Sequence, residues 1–190
     1  MVTMLFKQND SIKSALKYQL QSPEIDDTTK ADHAFFDLQR VMLPNGTYEL
    51  ELTIADASDQ ASAVSVTQKL NVLFDDTFAI SGIESVEKYS KSTAQNALTK
   101  SGYDIMPYLD NFYPENVGKI AFYTEIYNAD KLMGSGEKFI VTSCIKSLET
   151  KNIVGDNMKQ KIEQAREVNV ITNEFKIETL PSGNYMREVS

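Results

Sequence analysis

With 190 residues, of which 42% are hydrophobic and 24% charged, the chain has a globular composition and enough length for one large domain or two of ordinary size. Its formal charge of −8 argues against binding nucleic acid, which needs a Lys/Arg stripe, and against adsorption to anionic lipid. No apolar run reaches the roughly 18–20 residues that span a bilayer, and one cysteine, Cys144, excludes an intrachain disulfide and a multi-cysteine zinc site.

The N-terminus has neither a basic region nor a cleavage site, so it does not read as a signal peptide, and residues 2–7 read as a strand. A second strand is expected over residues 15–21, followed by an exposed loop over 22–30. Phe36, Leu38 and Met42, set against Asp37 and Gln39, predict a third strand ending at Pro44. Then comes the phrase Leu43-Pro44-Asn45-Gly46-Thr47-Tyr48, whose Pro-Asn-Gly suits a type I or II turn. Tyr48, Leu50, Leu52 and Ile54 alternate with Thr47, Glu49, Glu51 and Thr53, as in a half-buried antiparallel strand. Beyond the polar connection Asp56-Ala57-Ser58-Asp59-Gln60, Val64, Val66, Leu70 and Val72 share one side of a fifth strand, and Ser65, Thr67, Lys69 and Asn71 the other. The acidic pair Asp75-Asp76 marks a boundary between domains 1–75 and 76–190.

Residues 78–89 open the second domain as a strand, and the polar, Ser-rich residues 90–101 read as a loop. Residues 103–113, rich in Tyr and carrying Pro107, predict an edge strand or an extended connection. Residues 119–128 alternate Ile120, Phe122 and Ile126 with Tyr123, Glu125 and Tyr127. A Gly134-Ser135-Gly136 turn leads to residues 139–148, where Phe139, Val141 and Ile145 share a face. Over residues 157–167 the spacing of Met158, Ile162 and Ala165 is helical, but the run continues into the β-like Val168-Asn169-Val170-Ile171. We read it as a charged edge strand.

The corner phrase then returns as Leu180-Pro181-Ser182-Gly183-Asn184-Tyr185, after Phe175-Lys176-Ile177 as the first copy follows Phe36-Asp37-Leu38. Leu-Pro-x-Gly-x-Tyr reads as a strand that ends, turns a tight corner and re-enters with Tyr. In immunoglobulin-like sandwiches a Tyr near the start of strand F anchors the E–F corner through its hydroxyl. The predicted fold class is therefore all-β, two immunoglobulin- or fibronectin-III-like β-sandwiches in tandem. Pro44, Gly46 and Tyr48 form one structural corner, and Pro181, Gly183 and Tyr185 the other. Counted from these corners, the first domain runs from strand C to strand G and the second from strand A into strand F. The expectation is a segment of a longer protein, with open edge strands able to meet a protein partner or a second copy.

Gly102-Tyr103-Asp104-Ile105-Met106-Pro107-Tyr108, Phe112-Tyr113-Pro114 and Phe122-Tyr123-Thr124-Glu125-Ile126-Tyr127-Asn128 together resemble the region upstream of the signature in Bacteroidetes GWxTD-domain proteins. The resemblance covers residues 36–187. It implies β-sandwich modules within a larger exported protein, placed in the periplasm or outside the cell, and supplies no catalytic residues. With no Trp in the chain, the Gly-Trp-x-Thr-Asp signature itself is absent.

Few residues invite chemistry. The one histidine, His33, ends an acidic loop, and no Gly-x-Ser-x-Gly elbow accompanies it, so it reads as a solvated loop residue. Cys144 lies in an apolar strand and reads as a small buried filler. The loops Glu24-Ile25-Asp26-Asp27 and Asp56-Ala57-Ser58-Asp59 lack the spacing of a calcium loop. Asn45-Gly46-Thr47 matches a glycosylation sequon, but a tight turn explains both Asn and Gly. The densest aromatic region, Tyr103, Tyr108, Tyr113, Tyr123 and Tyr127 with Phe112, reads first as ordinary core and edge packing of strands, and second as a candidate binding surface. The reading is a non-catalytic structural or interaction module with no metal or cofactor. The alternative is a carbohydrate-binding module built on those tyrosines, and a hydrolase ranks third.

Overall fold

The computed structural model describes residues 1–21, 36–56, 59–74 and 76–190. The fold is all-β, built from several antiparallel sheets that do not close into a barrel. The chain divides into two compact units, Met1–Phe74 and Asp75–Ser190. His33 and the loop Glu24-Ile25-Asp26-Asp27 lie outside the described residues, as do Ala57 and Ser58 of the second acidic loop.

In the first unit, β1 (Val2–Gln8), β2 (Ser11–Tyr18), β3 (Gly46–Ile54) and β4 (Val64–Val72) form one sheet in the order β2-β1-β3-β4. Asn9 and Asp10, at φ 49° and 60°, make the two-residue connection from β1 to β2. Asn and Asp tolerate this left-handed region, and its twist matches that of the flanking strands. Pairing Met4 with Leu52 and Phe6 with Leu50 gathers the apolar side chains of β1 and β3 on one face, where Val2, Phe6 and Tyr48 are buried.

The strand expected from Phe36, Leu38 and Met42 is not formed: residues 36–44 have no regular structure, and Met42 is 96% exposed. Apolar alternation stabilises a strand only through cross-strand neighbours. Here side chains hold the segment instead. Asp37 accepts hydrogen bonds from the Tyr18 hydroxyl and, at 2.8 Å, from Nε2 of Gln39. Partial burial, together with the bond to Asp37, raises the Tyr18 pKa to about 12. The described part of this unit therefore has four strands rather than five. Its second strand also begins four residues earlier than the alternation indicated, at Ser11.

In the second unit, β5 (Ala79–Ile80), β6 (Glu84–Lys91), β7 (Thr99–Lys100), β8 (Tyr103–Pro107), β9 (Lys119–Tyr127) and β12 (Val168–Lys176) form a six-stranded sheet. Its order is β12-β9-β6-β8-β7, with β5 paired to β9. A three-stranded sheet, β11-β10-β13, is made from β10 (Lys138–Ser147), β11 (Ile153–Gln164) and β13 (Tyr185–Val189). One core joins the two sheets. Ile120, Phe122 and Ile126 from β9 and Ile171 and Phe175 from β12 pack with Val141 and Ile145 from β10. The Phe122 and Phe175 rings stack with centroids 6.1 Å apart. Residues 157–164 belong to β11, a strand rather than a helix. Its outer face carries Met158 and Ile162, while Ala165, just past its end, is buried. The periodicity gave no sign of the short helix α1 (Ala129–Met133), which follows Asn128 in the left-handed region (φ 58°). The Asn128 N–H is held by the Glu167 carbonyl at 2.7 Å.

Both copies of the repeated phrase anchor their tyrosine in the same way. The Tyr48 hydroxyl donates to the Pro44 carbonyl at 2.9 Å, and the Tyr185 hydroxyl donates to the Pro181 carbonyl at 2.6 Å. Each ring folds back over the glycine two positions before it. A Cβ built on Gly46 would lie 3.4 Å from Tyr48 Cε2, and one on Gly183 would lie 3.4 Å from the Tyr185 hydroxyl oxygen. The amide of Asn45 is engaged as well, donating to and accepting from the backbone of Phe74 at 2.8 Å each way.

Candidate functional site

Because its side chains alternate, β9 sends Ile120, Phe122 and Ile126 into the sandwich core and Ala121, Tyr123, Glu125 and Tyr127 to the opposite face. An outer sheet face is ordinarily the solvated one. Here it is covered, and Ala121 and Tyr123 form a second small core with Val86 and Ile105, flanked by Tyr89, Tyr103 and Val170.

The cover includes the end of the sheet itself. β7 and β8 are joined by Ser101 and Gly102, both at positive φ (45° and 82°), with Lys100 paired to Tyr103. β7 lies three strands from β9, about 14 Å away in a flat sheet, yet the Ser101 hydroxyl donates to Oε1 of Glu125. The sheet therefore curls sharply, bringing its last hairpin back over β9.

Glu125 is 2% exposed, and both its oxygens are occupied. Oε1 accepts from Ser101 and from the Tyr123 hydroxyl at 2.6 Å, and Oε2 accepts from the Tyr127 hydroxyl. Lys100 Nζ stands 3.7 Å from Oε2, 3.8 Å from Glu84 and 4.8 Å from the centre of the Tyr123 ring. Burial pushes the Glu125 pKa up, but the three hydroxyls and the Lys100 charge outweigh it and hold the carboxyl below its ordinary value. Burial, reinforced by the bonds to Glu125, raises both Tyr123 and Tyr127. A general base needs a free lone pair within reach of a substrate proton. Glu125 is instead a buried acceptor with three hydroxyl bonds from its own fold on about four lone-pair sites.

The five tyrosines of the candidate surface do not form one surface. Tyr123 is fully buried, which removes it from any binding face, and Tyr103 packs half-buried against the Tyr123 cluster. Tyr127 is committed to Glu125. Tyr108 and Tyr113 form a separate pair with centroids 4.5 Å apart and planes 8° from parallel, and the Tyr108 hydroxyl donates to the Phe112 carbonyl at 2.9 Å. Phe112 and Leu109 project from that loop, 73% and 71% exposed.

The roles of Glu125, Lys100 and Ser101 escaped the sequence reading. One signal was available: in Tyr123-Thr124-Glu125-Ile126-Tyr127 a strand puts one carboxylate between two tyrosines on the same face. Cys144 is buried, and that burial raises its pKa. Asp59 caps the 3₁₀ turn Gln60–Ser62, accepting from the Ala61 N–H at 3.1 Å. Among the described residues no group of three or more His, Cys, Asp or Glu side chains is placed to hold a metal, and no helix is long and apolar enough to cross a membrane.

No protein-family model matches the chain, and neither a curated protein nor a solved structure is significantly similar to it. What is defined is the class: an all-β chain of antiparallel sheets with two tyrosine-anchored corners.

Proposed function

We propose that the chain is a non-catalytic structural and interaction module of a larger exported bacterial protein, its two units related to immunoglobulin-like sandwiches. The observation that carries this reading is the engagement of Glu125 by its own fold. In the most chemically loaded cluster among the described residues the carboxylate is buried and held by three hydroxyls, and these bonds tie a curled sheet together. The corner bonds of Tyr48 and Tyr185 support the immunoglobulin-like kinship. Placement in an exported bacterial protein rests on the resemblance to GWxTD-domain proteins alone.

A carbohydrate-binding reading survives in smaller form. The exposed Phe112 beside Tyr108 offers a small aromatic surface, whereas Tyr113 packs between Tyr108 and the main core, and Tyr123 and Tyr127 are held at Glu125. Affinity electrophoresis through gels containing different polysaccharides separates the two readings. The module should migrate at the same rate in every gel. Retardation that Phe112→Ala or Tyr108→Ala abolishes would replace the structural reading with the carbohydrate-binding one.

A further inference from the structure

β4 is the outermost strand of the first unit's sheet; among the described residues it pairs only with β3, in an unbroken register from Val64 to Val72. Such an edge presents a row of unpaired backbone groups. Which groups they are follows from the ladder. Ala55 and Met1 exchange backbone hydrogen bonds at 2.9 and 2.7 Å, so the odd-numbered residues of β3 face β1 and the even-numbered ones face β4. In β4, Val64, Val66, Gln68, Leu70 and Val72 consequently bond to β3. The N–H and C=O groups of Ser65, Thr67, Lys69 and Asn71 point out along the free edge.

The sequence of this edge is a palindrome of polarity. Reading outward from Gln68, the fifth of its nine residues, Thr67 mirrors Lys69, Val66 mirrors Leu70, Ser65 mirrors Asn71 and Val64 mirrors Val72. We infer that β4 pairs antiparallel with β4 of a second copy of this chain about a two-fold axis at Gln68, joining two four-stranded sheets into one. In that register Ser65 with Asn71 and Thr67 with Lys69 become the hydrogen-bonded pairs. Val64 with Val72 and Val66 with Leu70 fall at the non-hydrogen-bonded positions, where side chains approach most closely. The two Gln68 amides meet on the axis, each both donor and acceptor. No like charges face each other, since the strand's one charge, Lys69, lies opposite Thr67. The pairing covers Val64 and Val66, which stand 70% and 54% exposed in one copy.

Other edges carry features that oppose such pairing. β2 bears Lys13 and Lys17 and a register shift against β1. β11 bears Lys159 and Lys161 and a register shift against β10, and its Gln164 carbonyl already accepts from Asn169 Nδ2 at 2.7 Å. β4 has neither a register shift nor a second charge.

This inference rests on the interaction-module reading and names its partner. Polysaccharide retention tests that reading without reference to oligomeric state, so the two can fail separately. Sedimentation of the full chain over a concentration series should show a monomer–dimer equilibrium. Thr67→Pro should abolish the dimer, because it removes an outward N–H and leaves the ladder to β3 intact. On mild oxidation Gln68→Cys should give a disulfide-linked dimer. Ser65→Cys should not, because its two copies would lie about 20 Å apart. Cys144 is buried and does not compete. If Thr67→Pro fails to fold, the two cysteine variants still decide the register. A chain that stays monomeric at every concentration, a dimer indifferent to Thr67→Pro, or equal cross-linking at positions 65 and 68 would overturn the inference.

Discussion

The hydroxyl of Tyr123 donates to Oε1 of Glu125 at 2.6 Å, two positions apart on one strand and both shielded from solvent. The pair shows how a polar group is kept inside this sheet: a carboxylate surrounded by donors, one of them brought in by the curl of β7.

Glu125→Gln replaces one acceptor oxygen with a donor that faces hydroxyl groups, and it leaves Lys100 without its buried counter-charge. Losing charge-assisted bonds inside a closed site should destabilise the second unit by about 2–3 kcal/mol. Faster native-state hydrogen exchange of the β9 amides in the variant would report that loss. Unchanged protection would mean the carboxylate is dispensable.

The same cluster contributes to the pH dependence of the second unit. The folded carboxyl of Glu125 titrates below its unfolded value, so its contribution is complete above about pH 4.3 and disappears as the pH falls through the folded value. Tyr123 and Tyr127 are raised, so theirs is complete below about pH 10 and is lost as the pH rises further. Thermal midpoints measured across this range should fall at both ends. Glu125→Gln should flatten the acid fall, and Tyr127→Phe the alkaline one.

Ser101 combines a left-handed backbone (φ 45°) with a hydroxyl bonded to Glu125. Ser101→Ala keeps the backbone cost and deletes the bond, so a loss of about 1–2 kcal/mol is expected. Ser101→Gly relieves the backbone and should cost less. Chemical denaturation of both variants tests the order. An unchanged midpoint for Ser101→Ala would show that the hydroxyl is not what holds the turn, and a larger loss for Gly than for Ala would show that the left-handed backbone carries no cost there.

At the corners, Tyr48→Phe and Tyr185→Phe each remove one hydroxyl bond to a proline carbonyl. The loss should be on the order of 1 kcal/mol at Tyr48, which is buried, and smaller at Tyr185, whose bond is exposed. Denaturation midpoints should shift in that order, and an unmoved midpoint for Tyr48→Phe would remove the corner bond from the account of stability.

Strand content was legible wherever alternation had a neighbour to pair with. Tyr48 to Ile54, Val64 to Val72 and Ile120 to Ile126 became strands, with the predicted residues sharing each face. Phe36, Leu38 and Met42 show the same alternation and made no strand, because pattern alone does not supply a ladder partner. The aromatic residues were read first as strand packing, which holds for Tyr123 and Tyr103, but which of them would be covered was not legible. Local spacing put Tyr123 and Tyr127 on one face of β9 but carried nothing about what would cover that face.

By itself the sequence determined the all-β class, the inward and outward faces of the paired strands, and the two Leu-Pro-x-Gly-x-Tyr corners. These depend on residues within a few positions of one another, where backbone geometry and the two-residue period leave little choice. Only the tertiary structure decided that Glu125 would be buried and ionised, that Tyr123 would be core rather than surface, and that Tyr108 and Tyr113 would stand apart as a pair. The bond from Ser101 to Glu125 spans 24 residues and three strand spacings. It exists because the six-stranded sheet curls, and that curl is a property of the assembled sheet that no single segment carries.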